Sequence, residues 1–165
     1  MINSADEDDL ESVSMEFKSD QNLNFKDNNE EDRILPNSIT TTKLRDWLEE
    51  LASSYGSKIE RLDYIFCSDE YLIKINKEYL NHDDYTDIIT FPYREGKTIE
   101  SDIFISLDRV MDNAQMLEIK YEHELLRVLA HGLLHLIGFK DKSEEDVIKM
   151  RKAEDDAILS FAAER

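Results

Sequence analysis

One cysteine, Cys67, stands in 165 residues, so no disulfide can close within the chain. Its neighbours in Tyr64-Ile65-Phe66-Cys67 are apolar, which reads as a small core residue rather than a nucleophile. Positive charge is also scarce. Twenty Lys and Arg face 38 Asp and Glu, a formal net charge of −18. Such a chain repels a polyanion, so non-specific nucleic-acid binding is excluded unless a local basic patch or a metal ion offsets the field. No apolar run approaches the roughly 18 residues of a membrane span. The first residues are acidic rather than those of a signal peptide, so a cytoplasmic protein with no membrane partner is expected. Glycine is limited to four positions. Gly56, Gly96 and Gly138 fall where an element ends or the chain turns; Gly132 lies inside an apolar helical run.

What is present suits one folded domain: 41% hydrophobic and 9% aromatic residues in a chain long enough for a sizeable core. The charge is uneven. Residues 1–33 hold eleven acids against three bases, a balance of −8. Residues 1–35 are therefore expected to be an acidic, partly disordered extension that serves solubility, and residues 36–165 a single domain.

Periodicity supplies the elements. Residues 1–12 have little to bury, Val13 to Phe17 alternates like an edge strand, and Asp20 to Arg33 reads as a loop. Ser38 to Tyr55 predicts a helix with a threonine cap at 40, 41 or 42 and the stripe Leu44, Trp47, Leu48, Leu51, Ala52. Ile59 to Cys67 predicts a strand. Ser68-Asp69-Glu70 caps a helix burying Leu72, Ile73 and Ile75. Residues 86–92 predict a strand ended by Pro92, and Asp102 to Ser106 another. Ser106 caps a helix through Met116, Tyr121 to Gly138 forms a buried helix, and Ser143-Glu144-Glu145 opens a last helix to about Phe161. The predicted class is α+β: a mixed sheet of about four strands packed with helices.

The chemistry sits in His131-Gly132-Leu133-Leu134-His135-Leu136-Ile137-Gly138. Histidines four apart on a helix share one face, about 6 Å apart along the axis. The flanking leucines and isoleucine bury the helix, and two buried rings need partners. Two neutral imidazoles can hold one first-row metal ion, and catalytic Zn²⁺ usually takes three protein ligands. Gly138 stops the helix, and Asp141 three positions on can return a carboxylate to the same ion. Gly132 leaves room for a ligand or a second backbone. This is a zincin-like metal helix, but the peptidase pattern H-E-x-x-H has its general base where Gly132 stands, so a peptidase is disfavoured.

Three segments resemble the YbeY family, the rRNA-maturation endoribonucleases. His131 to Asp141 is similar to the family's His-Gly-x-Leu-His-Leu-x-Gly-(Tyr/Phe)-Asp-His. Asn76 to Pro92 is similar to Asn-x-x-Tyr-Arg-x-x-Asp-x-Pro-Thr-Asp-Val-Leu-Ser-Phe-Pro, and Asp102 to Asp108 to Gly-Asp-Ile-x-Ile-Ser. The resemblance covers about residues 59–155. It implies a metal-dependent single-strand endoribonuclease in rRNA maturation and ribosome quality control, with one Zn²⁺ per chain (or another divalent ion). Its implied partners are rRNA and a ribosomal subunit or ribosomal protein.

Some of the sequence's departures from the pattern matter for chemistry. The third metal-binding His becomes Asp141, which gives a harder His₂Asp set suited also to Mn²⁺. The family's catalytic Arg becomes Leu80, its Pro becomes Tyr85, and the Gly before the Asp-Ile strand becomes Ser101. These changes bear on catalytic rate more than on fold. Arg127, one turn before His131, is a replacement cation that could reach a phosphate; the alternative is a pair with Glu124 or another acid. The expected site is thus His131, His135 and Asp141 as metal ligands, with Arg127 and His131 in catalysis. Asp87 and Glu124 are the candidate bases, and Thr86 and Asp87 match family positions near the site. Two rival readings remain: an assembly or rRNA-binding factor with little cleavage, and a metallohydrolase on another substrate.

Overall fold

The structure, a computed structural model, describes residues 14–19, 35, 39–80 and 86–163. The readings placed on residues 1–12, on 20–33 and on His82 and Tyr85 lie outside the described residues. Along the chain run β1 (Ser14–Ser19), α1 (Thr41–Ser54), β2 (Lys58–Cys67), α2 (Asp69–Leu80), β3 (Ile88–Pro92), β4 (Thr98–Ser106), α3 (Leu107–Leu117), α4 (Tyr121–Ile137) and α5 (Glu144–Ala163). This is the order read from the sequence.

The helices begin where short polar side chains can satisfy free amides. Thr40 Oγ1 accepts from the Lys43 amide at 3.1 Å, and Ser68 Oγ from Tyr71 at 3.2 Å. Ser106 Oγ accepts from Arg109 at 3.2 Å. Ser143 and Asp146 cap each other, with the Asp146 amide donating to Ser143 Oγ at 3.0 Å and the Ser143 amide to Asp146 Oδ2 at 3.3 Å. α4 ends at Gly138, whose φ of 130° favours a residue without a Cβ.

The four strands form one mixed sheet in the order β1-β2-β4-β3. β1 and β4 each run parallel to β2, and β3 is antiparallel to β4. The acidic N-terminal segment therefore supplies an edge strand: Met15 pairs with Leu62 and is buried. β4 begins four residues earlier than its apolar core suggests. Ile99, Ile103 and Ile105 point to the main core, whereas Glu100 and Asp102 lie in a charged network with Arg61 that masks the alternation.

The larger core lies between one face of the sheet and α1, α3, α4 and α5. Two polar tips are satisfied inside it. Trp47 Nε1 donates to the Ala157 carbonyl at 2.8 Å, and the Tyr64 hydroxyl to the Leu129 carbonyl at 3.0 Å. The first ties α1 to α5; the second ties β2 to the middle of α4. Each avoids the ~1–3 kcal/mol cost of a buried polar group left unpaired. α2 covers part of the other face through Leu72 and Ile75, against Cys67 and Ile89. Ile73 is only half-buried, and Cys67 is buried, as a core residue should be.

Gly132 is needed for packing rather than for a ligand. A Cβ there would stand 2.7 Å from Ile88 Cδ1 and 3.2 Å from Ile103 Cδ1, so the sheet's side chains fill the room that the sequence left open. This close approach sets α4 down on β3 and β4, with its imidazoles beside the β3 edge.

Candidate metal centre

His131 and His135 lie on the last two turns of α4, their rings 4.5 Å apart and nearly perpendicular at 85°. Each ring has one nitrogen fixed from behind. His131 Nδ1 is 2.6 Å from Glu154 Oε2, and His135 Nδ1 is 3.0 Å from the Phe139 carbonyl oxygen. A carbonyl only accepts, and so does an ionised carboxylate. Both Nδ1 atoms must therefore donate, which leaves an Nε2 lone pair on each neutral ring.

Both Nε2 atoms face Asp141. Its Oδ2 is 3.3 Å from His135 Nε2 and 3.9 Å from His131 Nε2. The three residues offer ligand atoms all within 4.8 Å of one another. Nitrogen and oxygen ligands arranged tetrahedrally about Zn²⁺ stand about 3.3–3.6 Å apart, so a small contraction suffices to hold one ion. The turn at Gly138 makes this possible, because the Phe139 carbonyl that fixes His135 also aims the following residues back at the rings.

Glu154 has a counterpart of its own. Arg127 Nη1 is 3.2 Å from Glu154 Oε1, Arg127 Nε donates to Glu124 Oε1 at 2.8 Å, and Arg127 Nη2 also donates to Glu124 Oε2. Glu124 and Glu154 are fully buried. Burial works against the Glu154 charge. The hydrogen bond from His131 and the Arg127 guanidinium outweigh it, so the carboxyl titrates below its ordinary range. Burial likewise opposes the Arg127 charge, but its two carboxylates hold it above the ordinary arginine value. Arg127 bridges the two acids, Arg151 Nη1 also stands 3.9 Å from Glu154 Oε1, and Asp141 places a further carboxylate in front of the rings.

The structure thus brings His131, His135 and Asp141 together and does not bring Arg127 to them. Side chains on a helix lean toward its N-terminus, so Arg127 turns back to Glu124 rather than forward to the ligand face. Of the two candidate bases, Glu124 is sealed in this pair, whereas Asp87 lines the cavity in front of the imidazoles. That cavity, of about 760 Å³, runs along the free edge of β3 and is also lined by Asn76, Thr86 and Arg94. Leu80 closes α2. His123 is exposed, away from the group. Sequence reasoning missed Glu154. Its signal was a charged residue within the apolar stripe of α5, between Met150, Ala153, Ala157 and Phe161.

Two imidazoles from one helix, with a carboxylate from the turn after it, form a group beside the mixed sheet that could hold a metal ion. The model of the family described as Endoribonuclease YbeY matches residues 24–162, and the chain belongs to that family. Relatives named Endoribonuclease YbeY include one from Cytophaga hutchinsonii, 54% identical over 120 residues, 72% of this chain and 83% of the relative. One from Flavobacterium johnsoniae is 52% identical over 120 residues, 73% and 86% of the two chains. One from Porphyromonas gingivalis is 50% identical over 113 residues, 68% and 75%. The solution structure of TM1509 from Thermotoga maritima has the same fold, with a TM-score of 0.57 at 23% identity over 91% of this chain and 93% of that one. No helix among the described residues is long and apolar enough to cross a membrane.

Proposed function

We propose that this chain is a metal-dependent endoribonuclease that hydrolyses phosphodiester bonds of single-stranded RNA in rRNA maturation and ribosome quality control. The observation that carries the reading is the pair of Nε2 lone pairs, both fixed from behind and both aimed at Asp141. His131, His135 and Asp141 hold the ion. Two nitrogens favour Zn²⁺, and the carboxylate makes Mn²⁺ a competitor. When bound, the ion supplies Lewis acidity toward a phosphoryl oxygen and toward water near neutral pH.

The protein's own groups do the rest. Glu154 and the Phe139 carbonyl hold the imidazoles in one tautomer and orientation, so the ligands need not reorganise. Asp87 is the proton acceptor that the cavity offers. Arg127 acts on catalysis through Glu154 and His131 rather than by touching a phosphate. Residues 36–165 form the catalytic domain, and residues 1–35 an acidic extension that contributes β1. The working partners are rRNA and the ribosomal subunit or a ribosomal protein in the cytoplasm.

One observation favours a slower variant of this reading, an rRNA-binding factor with little cleavage. Arg94, the arginine lining the cavity, is held by Glu60 at 3.1 Å and Glu100 at 3.3 Å, and so is drawn off from a phosphate.

The test is elemental analysis joined to an RNA assay. One ion per chain is expected, lost in His135→Ala, together with internal cleavage of labelled single-stranded rRNA that stops with a chelator. Loaded protein that leaves this RNA intact sinks the nuclease reading.

A further inference from the structure

A second pocket, of about 540 Å³, opens between the end of α1 and the turn that joins α4 to α5. Tyr55, Gly138, Phe139, Lys140, Asp146 and Lys149 line it. It adjoins the metal group through the backbone: the Phe139 carbonyl fixes His135, and Lys140 directly precedes Asp141. We propose that this pocket is a nucleotide subsite, taking the base and phosphate next to the scissile bond of a single-stranded RNA. The inference rests on the endoribonuclease reading and says where the strand runs.

Three features carry it. The first is an exposed aromatic surface. Tyr55 is 44% exposed and meets Phe139 edge to face, with centroids 5.2 Å apart at 85°. Stacking on such a ring tolerates any base, because every base has a π-face. The second is free positive charge. Lys140 and Lys142 are exposed and have no ion-pair partner among the described residues. Lys149 pairs only with exposed Glu145, at 3.3 Å, and a pair of that kind is weak and easily exchanged. The lining acid, Asp146, is engaged in capping α5.

The third feature is contrast with the other side of the metal group. The cavity along β3 carries Asp87, Glu95, Glu100 and Asp141 against Arg94 alone, and that guanidinium is already held by Glu60 and Glu100. In a chain of net charge −18, a phosphodiester leaving the ion meets repulsion along β3 and two uncommitted ammonium groups at the α4–α5 turn. The turn is the side on which a neighbouring phosphate is held.

The experiment uses the full, metal-loaded chain and a labelled single-stranded ten-nucleotide RNA, followed by cleavage and by anisotropy. Tyr55→Ala is expected to raise KM by about five- to a hundredfold with a much smaller change in kcat, and Tyr55→Phe to restore it. Lys140→Ala with Lys142→Ala is expected to flatten the slope of log K against log salt by about 1.4, two phosphate contacts at roughly 0.7 each. Lys74→Ala, at an exposed position of α2, serves as the control with no change. Metal content should be equal throughout. Wild-type KM and salt slope in both the Tyr55→Ala and the double-lysine variants, while the parent cleaves RNA, overturn the subsite and leave the nuclease reading standing. A loaded parent that neither binds nor cleaves the RNA overturns the nuclease reading and the subsite with it. The lysines are wholly on the surface, so they decide the question alone if Tyr55→Ala fails to fold.

Discussion

The two imidazoles look equivalent in sequence but are held by different means. His135 rests on a backbone carbonyl, Phe139 O, which no side-chain substitution removes. His131 rests on a buried carboxylate, Glu154, which in turn depends on Arg127 and through it on Glu124. One ring is fixed by local chain geometry four residues away; the other by an ion network joining two helices. The second is the costlier arrangement, because it buries three charges. It also supplies what a carbonyl does not, a full negative charge behind the ring that makes Nε2 a stronger donor to a cation. The difference teaches that the candidate ligand pair has one member held by nearby backbone and one held by an ion network that spans two helices.

The largest effect should come from cutting the ion network. Glu154→Leu leaves Arg127 with Glu124 alone and His131 Nδ1 with no carboxylate behind it. Breaking a buried pair in this way costs about 3–5 kcal/mol, read as a lower urea midpoint. Among molecules that still fold, metal affinity should fall about 10- to 100-fold, read by competition with a chromophoric chelator. Equal affinity in Glu154→Leu and the parent would erase the distinction between the rings.

A smaller effect is expected from acid. The folded Glu154 carboxyl titrates below its unfolded value, so its contribution is complete above about pH 4.5, near the ordinary glutamate range. It is lost as pH falls through the lowered folded value, because the unfolded chain takes up the proton first. Urea midpoints measured from pH 6 to pH 3 should therefore fall more steeply for the parent than for Glu154→Gln. Parallel curves would show that the carboxylate is not held by its neighbours.

The smallest effect belongs to the other ring. Phe139→Ala keeps the carbonyl and removes the ring's packing against Tyr55 and the edge of the main core. Metal affinity should stay within about twofold by the same chelator assay, although stability falls by roughly 1–2 kcal/mol for a half-buried ring. A tenfold loss of affinity would mean that the Phe139 side chain, not its backbone, orients His135.

Most of the fold was legible because its signals are local. Caps at Thr40, Ser68, Ser106 and Ser143 and the stripes of α1 and α4 mark elements without knowledge of their neighbours. That His131, His135 and Asp141 would meet was legible for the same reason, since these candidate ligands fall within eleven residues on a helix and its turn. What was not legible is long-range. Glu154 meets His131 only because α5 packs on α4, and spacing along the chain carries no trace of that contact. Arg127 shows the limit of a helical wheel: it shares a face with His131, yet its side chain leans away down the helix. Gly132 was read as room for a ligand or a second backbone, but what approaches it is the side chains of Ile88 and Ile103 from the sheet.

The pairing of β1 with β2 joins Ser14 to Arg61 across most of fifty residues of chain. Bringing such distant stretches together loses loop entropy before any contact repays it, whereas the β3–β4 hairpin closes over five residues. The first strand in sequence should thus be the last to join the sheet. Its amide protons should be the earliest to exchange with solvent, and until it docks, the β2 edge stands open to a strand from another molecule.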